Sequence, residues 1–211
     1  MPNPFYPAAK AAIQPLAAEA GFRSRGRHFY RITNDVVQQF CLLSLRGNYT
    51  IRFHISSVYD ENRYDAEGVE VCRLIDGTGF FLSNRPQLLV PDPFDPDYRV
   101  SLETCVEVCE TALRAYLLPW FEQTADSERA FRQAQALGML APRGEPRARN
   151  CLGFLLALGR TEEAAALLRQ EPACEYRELC RAVTAQDGAF LRAYMEQKKA
   201  ATYAEFKWKP L

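Results

Sequence analysis

The chain has 211 residues, with 26 Lys and Arg balanced by 26 Asp and Glu, 2 His, and 48% hydrophobic and 25% charged residues. That composition belongs to a folded globular chain and excludes fibrous, low-complexity and wholly disordered proteins. A formal net charge of +0 argues against a dedicated nucleic-acid or membrane-surface binder, because neutralising a row of phosphates calls for a basic surplus.

The first residues lack a basic segment followed by a long apolar one, so they do not read as a signal peptide. The longest strongly apolar run, 151–158, is far short of the about 20 residues that a membrane span needs. The sequence therefore predicts a soluble, cytoplasmic protein. Asn3 and Pro4 suit an N-cap and a first helical position. An Ala-rich helix should run from there to Ala20, with Ile13, Leu16, Ala17 and Ala20 on one face. Pro15 should kink or divide it, and Gly21 should end it.

From Arg27 the hydrophobic period changes to that of strands, which are expected over 27–33, 36–45 and 49–58. Asn34-Asp35 and Gly47-Asn48 sit where tight turns belong, so the strands should form an antiparallel meander. In the third, Ile51, Phe53 and Ile55 alternate with Arg52, His54 and Ser56. After a polar loop, 69–75 and 79–83 read as a further hairpin around Asp76-Gly77-Thr78-Gly79. Pro86, Pro91, Pro93 and Pro96 make 85–99 irregular. Ser101 then caps a strong amphipathic helix with the stripe Leu102, Val106, Cys109, Leu113 and Leu117. Pro119 should end it, with Trp120 and Phe121 as anchors.

Residues 1–123 are thus expected to form an α+β domain, an antiparallel sheet of about five strands covered by two helices. Residues 124–211 carry no strand pattern and read as a helical subdomain of about five helices. A helix from Asp126 to Gly138 and a linker at 141–149 precede two helical hairpins, 150–158 with 161–168 and 175–185 with 187–199. The amphipathic tail 203–211 either docks or frays.

Gly21, Phe22, Arg23, Ser24, Arg25, Gly26, Arg27, His28, Phe29, Tyr30 and Arg31 follow the first helix and open the first strand. This segment resembles the start of an uncharacterised bacterial family, domain of unknown function 4304, with its Gly-Phe, basic residues, Gly and Phe-Tyr ahead of hydrophobic strands. The Leu118, Pro119, Trp120, Phe121 end of the long helix is similar to that family's closing helix. The resemblance covers residues 1–123 and implies a bacterial α+β domain. It brings no catalytic residue, since none is established for the family.

No nucleophile elbow, P-loop, dinucleotide fingerprint or paired-histidine zinc helix is present. Asp76-Gly77-Thr78-Gly79 leads into a strand rather than a helix N-terminus, so it reads as a turn and not as a phosphate cradle. Asp92 and Asp95 each precede Pro, which explains them, with Asp97, as turn residues. The loop from Asp60 to Asp65 lacks the Gly that a calcium loop needs at its sixth position. The 7 Cys are odd in number and contain no C-x-x-C pair, so they read as reduced thiols in apolar positions. No metal and no cofactor is assigned.

What chemistry remains lies in Arg23, Arg25, Arg27, His28 and Arg31, the one dense basic cluster, together with Arg52 and His54 on the third strand. Were these strands to present them on a common face, they would make an anion site for phosphate or carboxylate. Three functions compete. The first is a non-catalytic intracellular binding protein with a protein partner, a class that includes toxin-neutralising immunity proteins. The second is an enzyme acting on a phosphorylated or carboxylated metabolite through His54 or His28 and the arginines. The third is nucleic-acid binding through 23–31, with Phe29 and Tyr30 stacking on bases, which the neutral net charge opposes. The sequence does not set the oligomeric state.

Overall fold

A helix forms first because Ala9, Ile13 and Ala17 recur at a spacing of four, and in α1 (Phe5–Glu19) all three are buried. The computed structural model describes residues 5–45, 48–59, 102–136, 148–170 and 177–208. Pro15 lies inside α1 without dividing it. Pro15 and Ala11, whose carbonyl loses its helical donor, are both exposed, so water can replace the missing bond. Gly21 ends the helix as expected, at φ 81. Its amide donates to the Ala18 carbonyl, and the Phe22 amide donates to Ala17 at 2.8 Å, the paired bonds of a Schellman cap.

The chain then builds a four-stranded antiparallel sheet in the order β1 (Arg23–Arg25), β2 (His28–Thr33), β3 (Val36–Leu45) and β4 (Asn48–Ser57). The meander is the expected one, whereas β1 was not anticipated. Three residues with two arginines give no strand pattern, and only pairing with β2 makes them a strand. Gly26, at φ 60, takes the first place of the two-residue loop between β1 and β2, where a type II′ turn needs glycine. Asn34 and Asp35, at φ 44 and 66, make the left-handed loop between β2 and β3. The hairpin expected at 69–83 lies outside the described residues. The fold is mixed α+β.

After the sheet, α2 (Leu102–Ala112) passes through a π-helical turn, Leu113–Leu117, into α3 (Leu118–Gln123). Pro119 therefore does not stop the backbone, contrary to expectation. Proline offers no N–H to the carbonyl four residues back and crowds it, and a wider turn just before the ring accommodates both effects. Cys109, Leu113, Leu117 and Phe121 are buried along this run.

The described residues fall into two compact units. One comprises 5–31, 38–45, 48–54 and 102–123. Its core is aromatic: Phe29 stacks on Phe40 with ring centroids 4.6 Å apart, and Phe22 lies 5.1 Å from Phe121. Phe53 meets Trp120 edge to face at 4.9 Å. The second unit comprises 32–37, 55–59, 124–136, 148–170 and 177–208.

That second unit contains α4 (Ser127–Ala136), α5 (Ala148–Ala157), α6 (Thr161–Gln170), α7 (Arg177–Thr184) and α8 (Gly188–Glu205), each packed on the next in the chain. Asp126 caps α4 by accepting from the Arg129 amide at 2.8 Å, and Asp187 caps α8 by accepting from Ala189 and Phe190. Helix α8 runs beyond its expected end at Lys199 and takes in Tyr203, while the following Phe206 is 1% exposed. Among the described residues no helix is long and apolar enough to cross a membrane.

Candidate functional site

The basic segment becomes a hairpin because Gly26 permits a tight turn and because Phe29 has a place in the core. Arg23 pairs with Tyr30, Ser24 with Phe29, and Arg25 with His28. Side chains alternate across a strand, so Arg23, Arg25, His28 and Tyr30 share one face, whereas Ser24, Phe29 and Arg31 take the other. Arg23, Arg25 and Arg27 are exposed and His28 is half-buried. The structure thus brings together the first four of the basic residues singled out in the sequence.

Arg31 does not join them. It lies on the face of Phe29 and is 8% exposed. Its Nε donates to Gln38 Oε1, its Nη1 to the Ala20 carbonyl and its Nη2 to Glu122 Oε1, each at 2.6 Å. The guanidinium also sits 4.8 Å from the centroid of the Phe22 ring. Gln38 passes the connection on by donating to the Phe121 carbonyl. Arg31 is therefore a tie between the end of α1, β3 and α3 and not part of a solvent-facing anion site.

The turn is held from α1. Lys10 Nζ donates to the Gly26 carbonyl at 2.8 Å, and the Arg27 guanidinium carbon lies 5.7 Å from the centroid of the Tyr6 ring. Arg52 and His54 belong to β4, but their side chains lie outside the described residues, so their approach to Arg25 is not placed. Phe29 and Tyr30, the stacking pair of the nucleic-acid alternative, are 1% and 9% exposed. They were drawn into the core because aromatic burial outweighs display. The carboxylates at 60–67 and 92–97 also lie outside the described residues. Among the described residues no group of three or more His, Cys, Asp or Glu could hold a metal ion.

A second polar centre had no counterpart in the sequence reading. Asp35, in the left-handed turn, accepts from Lys199 Nζ at 2.7 Å and from the Tyr59 hydroxyl at 2.9 Å. Its carbonyl accepts from the Val58 amide, and Thr202 Oγ1 donates to the Val58 carbonyl at 2.7 Å. Burial first, then the hydrogen bond to Asp35, raise the Tyr59 hydroxyl well above its usual range. The hydrogen bond to Asp35 raises Lys199 in spite of burial. Both groups keep their protons at neutral pH, and the cluster fastens α8 to the strand ends. The one sequence signal was an Asp where a left-handed turn usually places Gly.

Glu205, near the end of α8, is half-buried, and its Oε1 has no hydrogen-bond partner among the described residues. Burial pushes this carboxyl up to about 7.

Comparison of the chain with protein-family models, with curated proteins and with solved structures gives no match. The functional reading accordingly rests on the geometry of the site.

Proposed function

We propose that the chain is a non-catalytic binding protein that presents the hairpin from Arg23 to His28 to an acidic surface of a protein partner. The observation that carries this reading is the exposure of Arg23, Arg25 and Arg27 on a hairpin whose turn is fixed by Gly26. Guanidinium groups pair with carboxylates through two parallel hydrogen bonds, and arginine is among the residues that dominate protein interfaces. A protein partner is favoured over nucleic acid because the aromatic residues of this segment are buried and offer no stacking surface. The resemblance to domain of unknown function 4304 adds a bacterial setting to the proposal, and a toxin-neutralising role belongs to the same class.

Charge reversal tests the reading. The wild-type chain should bind a fluorescein-labelled polyglutamate peptide with an affinity that falls as salt rises, and the combined R23E, R25E and R27E variant should lose that binding while its circular dichroism is unchanged. Retained binding by the variant overturns the proposal. So does a wild-type preference for single-stranded polyuridylate over the peptide, which would restore the nucleic-acid reading.

A further inference from the structure

We infer that α1 is part of the same binding face, with Tyr6 and Lys10 as positioning residues that fix the Gly26-Arg27 turn and so aim the arginines at an acidic partner. The inference rests on the reading of the hairpin just given. Tyr6 and Lys10 are four residues apart on α1, so they stand on one face of the helix, one turn above the other. Their contacts fall on successive residues of the turn: Lys10 Nζ reaches the Gly26 carbonyl and Tyr6 lies under the Arg27 guanidinium. In a two-residue loop the carbonyl of the first central residue is not used by the strand ladder, and the lysine supplies its donor.

The hairpin needs such a hold. β1 has three residues and stands at the edge of the sheet, paired with β2, and so short a ladder fixes orientation weakly. Helix α1 is well anchored, since Ala9, Ile13 and Ala17 are all at most 1% exposed. Two grips from one anchored helix keep the turn from swinging about the strand axis. Side chains held in place before binding lose less freedom on binding.

Four variants test this with the same labelled polyglutamate peptide, read by fluorescence anisotropy and dissociation rate, with circular dichroism as the check on folding. K10M and Y6L should each weaken binding by roughly 3–10-fold through faster dissociation, as expected for the loss of one ordered side chain. K10R, which can still donate to the Gly26 carbonyl, should bind as wild type. Y6L removes no charge, so its loss with an unchanged salt dependence reports positioning and not electrostatics. If the triple arginine variant loses binding while K10M and Y6L bind as wild type, the role of α1 is overturned and the hairpin stands. If the triple variant binds as wild type, the hairpin reading itself fails. Should Y6L not fold, the pair K10M and K10R decides: equal affinities overturn the inference.

Discussion

Arg31 brings a permanent charge to a position 8% exposed, where three protein acceptors surround its guanidinium. Removing it leaves Gln38 Oε1 and the Ala20 carbonyl without their donor, and buried acceptors stripped of a charged partner are costly. The R31M variant is expected to lose about 2–4 kcal/mol of stability in urea denaturation. R31K should recover little, because one ammonium cannot serve acceptors arranged for a planar fork. Glu205 acts through the opposite sign. Its carboxyl is raised from 4.5 to about 7 in the folded state, so the folded chain holds a proton that the unfolded chain has released between those values. Stability should therefore fall as pH rises from about 4.5 to about 7 and stay lower above it. E205Q is expected to flatten that part of a pH series of thermal melts and to add about 1–2 kcal/mol above pH 7, less than the full shift implies because the carboxyl is half-buried. At this scale the sequence was least legible. Arg23, Arg25, Arg27 and Arg31 look alike in a string of letters, and strand parity alone sends Arg31 inward.

Four chain segments end in the same way, with a residue in the left-handed region and a pair of Schellman bonds: Gly21 after α1, Gly159 after α5, Gln186 after α7 and Lys207 after α8. The two glycines were legible because glycine adopts that conformation without steric cost. A turn was expected at Gln186 between the two helices, but neither Gln186 nor Lys207 is a residue type that signals the left-handed region, and their Cβ atoms bear the strain of the conformation. Q186G is expected to raise the thermal midpoint, with a gain of about 0.5–1 kcal/mol. G159A should lower it by about 1 kcal/mol, since nothing within 4 Å would obstruct the new methyl and only the backbone conformation opposes it. The prolines fail in the other direction as guides. Pro15 sits within α1 and Pro119 within α3, because a solvent-facing carbonyl or a local π turn absorbs what a proline removes.

Across the whole molecule, α3 ends at Gln123, and the strand ends 32–37 and 55–59 belong with the helices that follow it. A chain cut after Gln123 would leave Asp35, Val58 and Tyr59 without Lys199 and Thr202. Such a fragment is expected to lack a cooperative thermal transition by circular dichroism, and a wild-type-like melt would show residues 1–123 to be self-sufficient. The sequence by itself determined the mixed α+β class, the meander, the amphipathic helices and the glycine that ends α1, because each of these is written in residues a few positions apart. Tertiary structure decided which cations face solvent, which aromatics are hidden and where α8 is fastened. Asp35 and Lys199 are separated by 164 positions, and a hydrogen bond across that distance leaves no local pattern from which it could be read.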